Sequence, residues 1–213
     1  MLNNLATSFL TRFTHLGRLE DLEEAISLHR AAVGLVPDGQ LNRSAILSNL
    51  ARSVLTRSQL KGSLEDLEEA ITLSRIALGL LPEGHPHLPA TLSNLASSLS
   101  ARFNHGGRME DLAEAISLHR TALELLPAGH SLRSMSLNNV AGSVLTRYQH
   151  EGKIEDLEEA VTLLRAALEL LPEDHADRPK LLNNLAFSLS ARFKHSGKIE
   201  DLEESITLTR AIL

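Results

Sequence analysis

Apolar residues fall along this chain at three- and four-residue spacing, in stripes that return with a fixed period. Within residues 86–130 the first stripe is Leu92, Leu95, Ala96 and Leu99, one face of a helix. Pro86 and Pro89 precede it, and proline is tolerated in a first turn because those N–H groups have no helical partner. The stripe stops near His105-Gly106-Gly107, where glycine supplies the left-handed backbone that ends helices. A second stripe follows: Met109, Leu112, Ala115, Ile116, His119, Ala122, Leu123 and Leu126, closed by Pro127. Its acids Glu110, Asp111 and Glu114 lie at the start and Arg120 further on, the favourable sense for the helix dipole. Two antiparallel helices joined by a glycine turn make a hairpin. Carried along the chain, the pattern predicts helices at roughly 2–15, 19–36, 43–60, 64–81, 87–105, 109–126, 133–150, 154–171, 178–195 and 199–213.

The period is 45 residues. It carries Asn4, Asn49, Asn94, Asn139 and Asn184; Gly17, Gly62, Gly107, Gly152 and Gly197; and Pro37, Pro82, Pro127 and Pro172. Such a repeat marks a solenoid, in which each unit touches only its neighbours and no central cavity forms. The expected organisation is one array with units 2–46, 47–91, 92–136, 137–181 and a partial 182–213. Ser8, Ser53, Ser98, Ser143 and Ser188 also match, as do Arg12, Arg57, Arg102, Arg147, Arg192 and the later series Arg30, Arg75, Arg120, Arg165, Arg210. First-helix segments pair as units two and four (SVLTR) and three and five (SLSAR), which fits duplication of a two-unit block or an artificial assembly of near-consensus units.

These residues resemble a known family. EAISLHRTALELLP (114–127) is similar to the second helix of a tetratricopeptide repeat, with Ala115 and Ala122 at its small packing positions and Pro127 at its closing proline. LSNLASSL (92–99) resembles the first helix, with Ala96 at the small position. The resemblance implies an all-α fold, a right-handed α-solenoid or superhelix of about ten helices. The unit here is longer than the family's common one, and leucine, valine or histidine fill its aromatic positions. Phrases such as GHPHLPATLSNLA resemble the repeats of kinesin light chains. The whole unit is similar to long arrays of mushroom-forming fungi, often joined to a caspase-like protease domain.

Composition narrows the function. The 213 residues are 43% apolar, enough for a substantial core, and only 3% aromatic. A net charge of −6 disfavours nucleic acid, whose binding draws on clustered Lys and Arg. Absence of cysteine excludes disulfides, thiolate catalysis and cysteine zinc sites; it fits the reducing cytoplasm, the expected intracellular location. No stretch is long and apolar enough to span a membrane, and no signal peptide is visible.

Candidate chemistry is sparse. His15, His105, His150 and His195 recur in register, but stacked helices lie about 8–10 Å apart, too far for two rings to share zinc at about 2.0–2.1 Å. His85, His130 and His175 fall in the loops between units, where capping or solvent roles suffice. The pairs Glu20-Asp21, Glu65-Asp66, Glu110-Asp111, Glu155-Asp156 and Glu200-Asp201 are adjacent at helix starts, which dipole and capping roles explain. Gly152-Lys153 and Gly197-Lys198 lack the Ser or Thr of a phosphate loop. No metal, cofactor or catalytic residue is expected, and the chain reads as a non-enzyme. The two arginine series are expected in inter-unit ion pairs, with a basic stripe for an acidic partner as the other reading.

The asparagines carry the functional expectation. By the family resemblance, Asn4, Asn49, Asn94, Asn139 and Asn184 face an inner groove. An amide can donate to and accept from one peptide unit. A strand rises about 3.3 Å per residue, so every third ligand residue would meet the next asparagine. The neighbours Ser48, Ser93, Asn138, Asn183 and Ser97 are small and neutral, and Arg52 is the only cation of its series. This departs from the basic clamp of chaperone-binding relatives. The alternative is that the asparagines bridge helices. The expected function is a protein-interaction scaffold that takes an extended peptide or partner helix in the groove. A self-assembling array and a regulatory region of a larger enzyme such as the protease are the alternatives. The chain opens in a first helix and stops partway through a second, at Leu213, with no polar helix covering either end. Head-to-tail self-association is therefore also expected.

Overall fold

A computed structural model describes residues 1–212. Among them are ten helices and no strand. They are α1 (Leu2–Leu16), α2 (Leu19–Leu35), α3 (Leu41–Lys61), α4 (Leu64–Gly79), α5 (Leu88–Gly106), α6 (Met109–Glu124), α7 (Arg133–Glu151), α8 (Ile154–Glu169), α9 (Arg178–Ser196) and α10 (Ile199–Arg210). The residues fall into two compact units, Met1–Leu118 and His119–Leu213. The end expected for the last helix, Leu213, lies outside the described residues.

In the first unit α1 packs on α2, α2 on α3, α3 on α4 and α4 on α5, while α1 and α5 also touch α3. In the second, α7 packs on α8, α8 on α9 and α9 on α10, and α7 touches α9. Odd-numbered helices thus adjoin odd ones within each unit. The apolar stripes meet inside: Leu22, Ile26, Leu50, Val54 and Leu67 cluster in one core, and Ile71, Leu95, Ala96 and Leu99 in the next. Ala25, Ala70, Ala115 and Ala160 are wholly buried; a methyl side chain there leaves room for neighbouring helices to approach.

Each odd helix ends on a glycine with positive φ, from 66° at Gly17 to 71° at Gly152. Its N–H donates to the carbonyl four residues back, as Gly107 does to Phe103 at 2.6 Å. A Cβ on Gly107 would meet nothing within 4 Å. Gly107→Ala therefore tests backbone conformation alone, and costs about 1 kcal/mol in urea denaturation; an unchanged midpoint would contradict this.

The second helices stop two residues short of the expected positions in α4, α6 and α8. At Leu80-Leu81 and Leu170-Leu171 the bonds tighten to the carbonyl three residues back. Proline follows in each case, and it disfavours helical backbone in the residue before it. Arg43, Arg133 and Arg178 then reach back to the freed carbonyls. Arg133 donates to Leu123 and Leu126, Arg178 to Leu168 and Leu171, and Arg43 to Val33 and Val36. A cation at a helix C-terminus suits the dipole.

Candidate functional site

The recurrent charges hold the hairpins together. Arg12, Arg57, Arg102, Arg147 and Arg192, near the ends of the odd helices, each grip an aspartate nine residues on. In Arg102 the Nε and Nη2 donate to the two oxygens of Asp111, both at 2.8 Å. Asp21, Asp66, Asp156 and Asp201 are held the same way and all five aspartates are buried. Hydrogen bonds from the arginine hold the Asp21 and Asp201 carboxyls below their usual range. The third guanidinium nitrogen reaches the preceding repeat: Arg57 Nη1 to Glu23 at 3.0 Å and Arg102 Nη1 to Glu68 at 2.9 Å. The second arginine series links successive even helices. Arg30 pairs with Glu69, Arg75 with Glu114, Arg120 with Glu159 and Arg165 with Glu204, at 2.7–3.1 Å. The whole first series and Arg30, Arg75, Arg120 and Arg165 of the second are therefore engaged in ion pairs, and the first series serves mainly within its own hairpin. The sequence signal for that clamp is the strict spacing of nine from Arg to Asp in all five units.

The asparagines sit where odd helices adjoin. Asn49 Nδ2 donates to Asn3 Oδ1 at 3.1 Å, Asn94 Nδ2 to the Ser48 carbonyl at 3.3 Å, and Asn184 Nδ2 to Asn138 Oδ1 at 3.0 Å. Asn49, Asn94, Asn139 and Asn184 are half-buried and Asn4 is exposed. Ser48 and Asn138 are buried, and the Ser48 hydroxyl lies 3.0 Å from Thr91 Oγ1. Ser93 and Ser97 are half-buried, whereas Arg52 and Asn183 are exposed. Two further features share the register of these positions. Phe187 is an exposed aromatic in the register of Arg52 and Ser97. Two helical turns on, at a spacing of seven that keeps the same face, come the exposed Thr14, Gln59, Asn104, Gln149 and Lys194.

The bridging bonds make a prediction. Asn184→Ala strips a partner from the side-chain oxygen of the buried Asn138 and lowers stability by about 1–2 kcal/mol. Asn183→Ala, one residue away and exposed, stays within about 0.5 kcal/mol. Equal midpoints for the two variants in chemical denaturation would refute the bridging role.

Loop histidines act as turn acceptors. His85, His130 and His175 accept at Nδ1 from the backbone N–H two residues on, at 3.1–3.2 Å. In the odd-helix series, the hydroxyl of Tyr148 lies 2.8 Å from His195 Nε2. Two other histidines are buried in even helices. His29 Nδ1 lies 3.3 Å from the Ser53 hydroxyl, while His29 Nε2 and His119 Nδ1 have no hydrogen-bond partner among the described residues. Burial pushes both rings down to about 4, with Arg52 adding to the effect at His29. No group of three or more potential metal ligands exists among the described residues, and no described helix is long and apolar enough to cross a membrane.

A family model for the tetratricopeptide repeat matches residues 43–87, 90–131, 133–177 and 180–213. The chain belongs to the tetratricopeptide repeat family. Tetratricopeptide repeats generally mediate protein–protein contact, and the fold is typically non-catalytic. Solved structures agree on the fold. The nearly identical TPR-like repeats of a putative kinesin light chain from Podosopora anserina share 22% identity, at a TM-score of 0.64 over 98% of this chain and 96% of that one. BtubC (BKLC) from P. vanneervenii shares 16%, at a TM-score of 0.63 over 99% and 89%. A thermophilic TPR protein of Thermus thermophilus shares 19%, at a TM-score of 0.58 over 97% and 98%. No curated protein sequence matches the chain.

Proposed function

We propose that this tetratricopeptide array is an intracellular scaffold that binds an extended, largely uncharged segment of a partner protein along its odd-numbered helices. One observation carries the reading. Asn49, Asn94 and Asn184 each spend one amide N–H on a neighbouring helix and keep the side-chain oxygen and the second N–H, which can pair with a peptide N–H and C=O. The bridges fix the amides in place, so little freedom is lost on binding. Around them Ser93, Ser97, Asn183, Gln59 and Gln149 are neutral, Arg52 is exposed, and Phe187 offers a surface for an apolar side chain. The even helices carry instead the ladder of ion pairs, whose charges already have partners. Asn4 in the first unit and Asn139 in the second belong to the same series, and the Ser48 carbonyl and the Asn138 side-chain oxygen accept its bridging bonds. The repeating units proposed to present it are 2–46, 47–91, 92–136, 137–181 and 182–213.

The test is selection from a phage-displayed random peptide library on the immobilised protein. Enriched peptides should carry little net charge. They should bind the triple variant Arg52→Ala, Asn183→Ala, Phe187→Ala at least several-fold more weakly, since a few exposed contacts dominate most interfaces. All three positions are exposed, so folding is retained. Failure to enrich any peptide, or equal binding by the variant, would sink the proposal.

A further inference from the structure

The glycine turns of the hairpins carry a ridge that the fold does not require. The first residue of every even helix is apolar: Leu19, Leu64, Met109, Ile154 and Ile199. A polar residue would serve as well at a helix start. Leu19, Leu64 and Ile199 are 49%, 56% and 52% exposed. The internal Leu64 is thus as exposed as its counterparts in the first and last hairpins. The exposure belongs to the turn edge and not to an end of the array.

In the first compact unit the ridge is thicker. Leu16 and Leu60, on the odd-helix side of the turn, are 57% and 54% exposed. With Leu19, Leu64 and the half-buried Met109 they line three successive turns. Packed helices lie about 8–10 Å apart, so the row spans about 20 Å. Single exposed leucines are ordinary, whereas a contiguous apolar row marks a contact surface. Charges flank this one. Arg18 precedes Leu19 and Glu20 follows it; Arg108 precedes Met109 and Glu110 follows it. All four are exposed, and none enters an ion pair among the described residues. Cations line one side of the ridge and carboxylates the other. That arrangement disfavours an anionic lipid surface and is complementary to itself when reversed.

We propose that two copies of the chain pair through the turn edges of their first units, antiparallel about a two-fold axis. The axis passes beside Leu60 and Leu64, which meet their own equivalents. The first turn of each copy meets the third turn of the other. Leu16 and Leu19 pack on Met109, Arg18 faces Glu110, and Arg108 faces Glu20. Symmetry makes each of these contacts twice. The same patch serves on both copies, so the assembly closes at two chains. It does not rest on peptide binding by the odd helices.

The experiment is analytical ultracentrifugation of the 213-residue protein from micromolar to millimolar concentration at low salt. The wild type should pass from one chain to two and go no further. Leu64→Glu sets a carboxylate against its own equivalent near the axis and should weaken association at least about tenfold. Glutamate suits a helix N-terminus, so the thermal midpoint should hold. Glu20→Arg alone and Arg108→Glu alone should each weaken association about three- to tenfold, because like charges then face each other. The double variant Glu20→Arg, Arg108→Glu exchanges the two charges and should return to the wild-type range. These charge variants lie at exposed positions and test the contact independently of Leu64→Glu. A monomeric mass throughout would overturn the proposal. So would growth beyond two chains, single reversals without effect, or a double variant that stays weak.

Discussion

Asp111→Ala should cost about 3 kcal/mol of stability, an effect expected for breaking one side of a covered ion pair. Asp111 is buried, and both its oxygens meet Arg102 at 2.8 Å. Truncation leaves two guanidinium donors aimed at a site that water reaches poorly. Glu68 remains on the third nitrogen and compensates in part. The contrast lies in Glu68→Ala: that carboxylate is mostly exposed, and its loss should cost less than about 1 kcal/mol. A paired replacement, Arg102→Met with Asp111→Leu, should be far milder than Asp111→Ala, because no charge is left alone. Urea midpoints for the three variants check the series. Equal losses for Asp111→Ala and Glu68→Ala would show that the clamp is only a surface pair.

Stability should fall as pH drops from about 6.5 towards 4, before ordinary carboxylates titrate. His29 and His119 are buried and neutral, with folded values near 4 against 6.5 for a free ring. Between those values the unfolded chain binds the protons that the folded chain refuses, so acid favours unfolding. Each pK unit is worth about 1.4 kcal/mol, so the two rings together should remove on the order of several kcal/mol by pH 4. Asp21 and Asp201 act in the next window down. Their folded values are lowered, so their contribution holds above about 3.8 and is lost below it. In the register of His29 and His119 the other repeats place Ser74, the wholly buried Leu164 and Thr209, so leucine is compatible with that packing. His29→Leu with His119→Leu should flatten the profile between 6.5 and 4 while keeping the acid limb below it. A wild-type midpoint equal at pH 7 and 4.5 would contradict the account.

The helices were legible because the 45-residue period repeats the same stripe five times, and because glycine and proline mark the ends. Leu92, Leu95, Ala96 and Leu99 lie in the core as the spacing requires. The wiring was less legible. Arg102 and Asp111 sit nine residues apart across a turn, and only folding of the hairpin shows that they meet face to face. Spacing places an asparagine on a helix face but does not say which side of its amide a neighbour takes. Asn94 and Asn184 look alike in sequence, yet one donates to a backbone carbonyl and the other to a side chain. Burial of His119 followed from its place in the apolar stripe, and His29 occupies the same register two repeats earlier; the hydrogen bonding of both rings depends on side chains from other helices.

Chemical-shift mapping with a display-selected peptide tests the proposed binding face most directly. Added to isotope-labelled protein, the peptide should shift amides of the odd helices, centred on Arg52, Ser97, Asn183 and Phe187, and leave Arg75, Arg120 and Arg165 on the even helices in place. Shifts confined to the even helices would contradict binding along the odd ones.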